Sequence, residues 1–301
     1  MIRRLGIVSA LAVLGFSACG SSGETSDSPV VVVTYSALES IVADIVGDSA
    51  RVEVIVPNGT DPHDFEPSAK DVEAITGAAL VVANGLDLEE GLGDALGEAE
   101  KSGVPVFRIT DHVTLREGDD EGKDEHSDDE EHGHVAEDPH VWLDPLTLAA
   151  AVPALVDRIG ASIGVDVSTA GRKVVADLEK LDASIASRIT GLDSCVVITG
   201  HDSLGYFGAR YGCKVLGSII PGFSSAAEAT AQDLSDLKAL AESEGVKAIF
   251  TELGTPRDVA DQLADEVGVK VVDLATHLVP DGGGYDEMMS ALADAIVEGL
   301  S

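Results

Sequence analysis

Short apolar runs alternate with longer amphipathic stretches along this chain, and that alternation restricts its fold more than any other feature. Val30 to Tyr35, Arg51 to Pro57, Leu80 to Ala83 and Val104 to Ile109 read as strands. Between them, Ser36 to Val46 has the pattern of a capped helix, and Pro67 to Gly77 opens on proline and closes on glycine as helices prefer. Strand, helix, strand in this order is the pattern of a parallel α/β sheet.

The second half repeats it. Cys195 to Thr199, Lys214 to Leu216, Val246 to Thr251 and Val269 to Leu274 read as strands, with helices over Ser225 to Glu244, Thr255 to Val267 and Tyr285 to Leu300. The expectation is two similar lobes, each a parallel sheet flanked by helices: 30–150 and 192–301. Residues 151–191 connect them. There, Val174, Leu178, Leu181, Ile185 and Ile189 recur every three or four positions, which predicts one stiff helix of about 30 Å. A chain of 301 residues is long enough for each lobe to bury its own core.

The chain opens Met-Ile-Arg-Arg, followed by an apolar run from Leu5 to Phe16 and then Ser-Ala-Cys. This is the layout of an export signal over 1–18, too short to span a bilayer comfortably. Phe-Ser-Ala-Cys resembles a bacterial lipobox, which would make Cys19 a lipidated N-terminus on a polar tether over 19–29; ordinary secretion is the alternative. The expected location is the outer face of the cytoplasmic membrane. A net charge of -35 speaks against nucleic acid and favours cations.

Three histidines stand in unusual settings: His63 in Asp-Pro-His-Asp-Phe-Glu-Pro, His140 in Asp-Pro-His-Val-Trp-Leu-Asp-Pro, and His201 in Gly-His-Asp-Ser-Leu-Gly-Tyr-Phe. In parallel α/β sheets, ligands bind beyond the carboxyl ends of strands. His63 follows the strand ending at Val56, His201 follows the one ending at Thr199, and Asp273 closes Lys-Val-Val-Asp. Imidazoles that converge with one carboxylate make a tetrahedral zinc shell. Proline before His63 and His140 stiffens their loops.

These stretches, together with Asn-Gly-Thr before the first and the closing Gly-Gly-Tyr-Asp-Glu-Met-Met, resemble the zinc and manganese solute-binding lipoproteins of ABC importers. The likeness covers the mature chain and is strongest to the zinc-uptake, ZnuA-like branch. It implies that His63, His140 and His201 are ligands, with Asp273 where such proteins often place an aspartate. It implies a monomer that binds Zn(II) and delivers it to a membrane permease and its ATPase, with no catalysis. A manganese-binding homologue is the alternative within the class; imidazole at His201, where manganese binders typically have glutamate, favours zinc. Glu66 and Glu252 are alternative carboxylates, and water could complete the shell.

A zinc hydrolase is the reading from another class. It would need an open coordination position beside a general base, and the chain has no His-Glu-x-x-His, nucleophile elbow, P-loop or dinucleotide fingerprint. Two further features stay open. Cys195 and Cys213, at the amino ends of their strands, could form a disulfide worth about 3 kcal/mol or remain buried thiols. The segment 117–138 carries twelve acidic residues with His126, His132 and His134. It is expected to be a disordered loop, either solvated or capturing metal for the main site.

Overall fold

The computed structural model describes residues 28–117 and 136–301. The expected signal, Cys19 and the histidines 126, 132 and 134 lie outside these residues.

The first lobe is a four-stranded parallel sheet of β1 (Val30–Tyr35), β2 (Arg51–Val56), β3 (Leu80–Ala83) and β4 (Val106–Arg108), in the order β2-β1-β3-β4. Between these strands run α1 (Glu39–Val46), α2 (Ala69–Gly77) and α3 (Gly93–Lys101). Val31, Val32, Val33, Leu80, Val81 and Val82 are fully buried on both faces, so β1 and β3 are continuous apolar runs without polar alternation. α2 begins where Ser68 and Asp71 form a reciprocal capping box.

Next come α4 (Pro145–Ile163) and the long α5 (Ser168–Ile189), which pack against each other. The five apolar positions seen in the sequence form the buried face of α5. At 22 residues the helix is about 33 Å long.

The second lobe differs from the first in its sheet. β5 (Val196–Thr199) pairs in parallel with β6 (Lys214–Ser218), and β7 (Ala248–Thr251) with β8 (Lys270–Asp273), as two separate ladders with β5 lying beside β7. Around them lie α6 (Gly205–Tyr211), α7 (Ala231–Glu244), α8 (Arg257–Val267) and α9 (Tyr285–Leu300). The helix expected from Ser225 starts only at Ala231, because Thr230 and Asp233 make the capping box there. Cys195 and Cys213 form a disulfide across the amino ends of β5 and β6.

The closing helix α9 returns to pack on α5 and α1, and a single apolar core runs from the first sheet through α4 and α5 to Phe207 and Phe250. Arg210 of α6 grips Asp182 of α5 through two hydrogen bonds, 2.7 and 2.6 Å. Both lobes are therefore packed on the same helix, and the second is also fastened to it by a bidentate ion pair.

Candidate metal centre

The structure brings His63, His140 and His201 together: one ligand atom from each lies within 4.8 Å of the others, and all three side chains are buried. The ring centroids are 5.6 Å apart for His63 and His140, 5.4 Å for His63 and His201, and 5.0 Å for His140 and His201. His63 sits on a one-turn helix, Pro62–Asp64, whose N-cap Asp61 accepts the His63 amide. His140 precedes the turn Val141–Leu143, and His201 lies two residues beyond β5.

Asp273 does not join them. It ends β8 with its side chain 76% exposed, accepting hydrogen bonds from Thr251 (2.9 Å) and Arg257 (2.5 Å). Arg257, at the start of the same lobe's α8, holds that carboxylate at the surface. The residue that lies beside them instead is His277, four positions further on. It is 3% exposed, with its ring 6.4 Å from those of both His63 and His201.

Trp142 explains how His277 is placed. The indole is fully buried, with its ring 5.3 Å from His140 and 5.2 Å from His277. Its Nε1 donates to the Thr276 carbonyl (2.9 Å), so a first-lobe side chain fixes the second-lobe loop that carries His277. Tyr285 Oη in turn donates to the Trp142 carbonyl (2.5 Å). The motif Asp-Pro-His-Val-Trp thus supplies a ligand candidate and the platform for another.

The two remaining carboxylate candidates stand apart from the cavity. Glu66 is exposed. Glu252, at the end of β7, is buried behind His201: its Oε1 accepts from the His201 amide (2.9 Å) and Ser203 Oγ (3.1 Å), and lies 2.8 Å from His201 Nδ1. That last approach is a close electrostatic contact rather than a well-aligned hydrogen bond. Asp138 serves His140 in the same way, with Oδ1 2.9 Å from the amide and 2.8 Å from Nδ1. Its other oxygen is 3.7 Å from Arg116 Nη1. Both groups pack onto Gly205, where a Cβ would lie 2.3 Å from Arg116 Nη1 and 2.5 Å from Asp138 Oδ2.

The hydrogen bond to Asp138 assigns the His140 hydrogen to Nδ1 and leaves its Nε2 as the donor atom, and the Glu252 carboxylate beside His201 Nδ1 favours the same arrangement there. The two Nε2 atoms face each other at 3.0 Å. Two lone pairs at that separation repel unless a cation lies between them. A tetrahedral zinc shell spaces adjacent nitrogens by about 3.3 Å, so the pair already stands close to what the ion requires.

Burial, followed by the charges of neighbouring rings, depresses the pKa of His63 to about 2 and of His140 and His277 well below the usual histidine value. These rings are neutral donors at physiological pH. Burial opposes charge on His201 as well, but Glu252, aided by Asp61 and Asp202, outweighs it and lifts that pKa. In the metal-free protein a proton on His201 Nε2 would occupy the gap facing His140.

A two-lobed α/β protein with a buried imidazole cluster between its lobes, spanned by one long helix, defines a metal-site class. Residues 31–299 match the family described as zinc-uptake complex component A, periplasmic, and the chain belongs to that family. It is 30% identical to the high-affinity zinc uptake system protein ZnuA of Bacillus subtilis, over 93% of this chain and 90% of that one. It is 28% identical to the zinc-binding lipoprotein AdcA of Streptococcus pneumoniae over 88% of this chain, and spans only about half, 53%, of AdcA's length. Among solved structures, the periplasmic zinc-binding protein TroA from Treponema pallidum superposes with a TM-score of 0.76 at 26% identity, covering 91% of this chain and 99% of that one.

Proposed function

We propose that this chain is the extracytoplasmic solute-binding component of an ABC importer, capturing Zn(II) and handing it to a membrane permease driven by its ATPase. The observation that carries the reading is the pair of Nε2 atoms converging at 3.0 Å, each ring backed by a buried carboxylate and joined by His63 and His277. Neutral imidazoles suit zinc, whereas manganese prefers oxygen ligands. His63, His140, His201 and His277 form the proposed shell, drawn equally from the two lobes. Glu252, occupied by His201, and Glu66, exposed, both lie outside the position a hydrolytic base would need. The protein acts as a monomer held at the membrane through Cys19.

The acidic segment is proposed as an accessory collector through His126, His132 and His134. Its flanks meet in a Glu117–Glu137 bridge, so removing 118–135 leaves two ends already adjacent. Calorimetric titration of metal-free protein tests both ideas. The expected result is one tight zinc site that survives the deletion, weak manganese binding, and extra zinc equivalents only in the full chain. Manganese bound more tightly than zinc would overturn the metal assignment, and unchanged stoichiometry after deletion would end the collector role.

A further inference from the structure

His63 differs from its partners in how it is held. Neither of its ring nitrogens has a hydrogen-bond partner among the described residues, although both are buried. Its position therefore depends on its backbone, and that backbone is tied to the opposite lobe at two points.

At one end of the loop, Asn58 makes a reciprocal pair with Val279: Nδ2 donates to the Val279 carbonyl (2.7 Å) and Oδ1 accepts the Val279 amide (2.8 Å). Val279 lies two residues beyond His277, so this pair joins the loops of both unsupported rings. At the other end, Asp61 divides its oxygens. Oδ1 accepts the His63 amide (3.0 Å), while Oδ2 reaches across the cleft to accept from Ser225 Oγ (2.5 Å). Gly254 leaves room for that crossing, at φ +86°, where a Cβ would lie 2.2 Å from Asp61 Oδ2 and 2.7 Å from Ser225 Cβ. Asp61 thereby converts contact with the second lobe into the placement of His63.

We propose that Asn58 and the Asp61–Ser225 pair form a two-point latch that sets the rate of metal release by holding the His63 loop against the second lobe. The proposal rests on the metal-binding reading above. Opening the latch withdraws His63 with its loop and leaves the His140–His201 pair intact on its carboxylates. Release then needs only two polar attachments to break, while the shared apolar core through α4, α5 and α9 stays packed. The latch residues touch no ion, so they act on the lifetime of the bound state rather than on capture.

The test uses the full chain loaded with zinc and mixed rapidly with excess chelator, alongside Asn58→Ala, Ser225→Ala and the double variant. Ser225→Ala, which removes one hydrogen bond, should speed release about threefold to tenfold, Asn58→Ala, which removes two, should speed it at least as much, and the double variant should exceed either single one. The association rate should stay at its native value, which a general loosening of the site would not allow. Ser225→Thr, which keeps the hydroxyl, should restore slow release. If the native chain binds zinc and the double variant releases it within about twofold of native, less than one hydrogen bond would give, the latch is overturned alone. If the native chain takes up no zinc, the metal-binding reading fails and the latch with it.

Discussion

His140 and His201 lean on buried carboxylates, while His63 and His277 share the same cavity with all four ring nitrogens lacking a hydrogen-bond partner among the described residues. The first pair is directed by those carboxylates before metal arrives. The second is fixed only through its loops, by Trp142 and by the clasp at Asn58. One half of the site is preorganised and the other is adjustable, and each lobe contributes one ring to each half. In the proposed role, where cargo must also be given up, this division is an advantage: a fully rigid shell would hold metal but release it slowly.

The largest effects should separate the halves. A structural zinc shell holds about 10–16 kcal/mol, so removing one of the four proposed ligands should lower affinity about a hundredfold to a thousandfold. His140→Ala and His201→Ala should sit at the upper end, because each also strands a buried carboxylate. His63→Ala and His277→Ala should sit at the lower end. Calorimetric competition against a chelator ranks the four, and equal losses would erase the distinction. Asp273→Asn in the same series should leave affinity unchanged; a loss matching that of His277→Ala would return Asp273 to the shell.

Removing the buttress without the ring comes next. Glu252→Gln and Asp138→Asn should each weaken zinc about tenfold to a hundredfold, the range for residues that orient metal-ligating histidines. Gly205→Ala should do the same through a different route, since its Cβ would press on Asp138. Unaltered affinity in all three would mean that the carboxylates serve folding rather than ligand direction.

Most of the fold was legible because its signals are local. Val- and Ile-rich runs bounded by glycine, proline or capping residues marked every strand, and the spacing of Val174, Leu178, Leu181, Ile185 and Ile189 marked α5. Sequence and structure part where a non-local contact decides. Asp273 obeys the strand-end rule, yet the ion pair with Arg257 turns it to solvent. Glu252 follows β7, which lies next to β5, so it meets the back of His201 rather than the cavity. His277, in Ala-Thr-His-Leu-Val-Pro, lacks the Asp-Pro-His signature that marks His63 and His140. Its one local clue is position, just past the last strand and before a proline. The pair Asp61–Ser225 is 164 residues apart, and nothing near Ser225 announces a partner.

The smallest effect concerns the folding of the metal-free protein. His277 has a folded pKa well below its unfolded value of about 6.5, because burial keeps it neutral. The unfolded state therefore binds more protons once pH drops below about 6.5, and the stability present above that pH is lost progressively as acid is added. His201 has the opposite sign, its raised pKa favouring the folded state in acid until pH rises through that value. Buried Asp138, with its pKa lifted to about 7, also gains stability as pH falls. The whole-protein curve mixes these signs, but a difference isolates one ring. His277→Phe removes a titrating group from an apolar, Trp142-lined position, so its urea midpoint relative to native should improve steadily between pH 7.5 and about 5.5. His201→Phe should drift the other way over the same range. Parallel curves for both variants would show that the adjustable and buttressed rings carry the same charge in the metal-free protein, and the contrast between them would then be one of geometry alone.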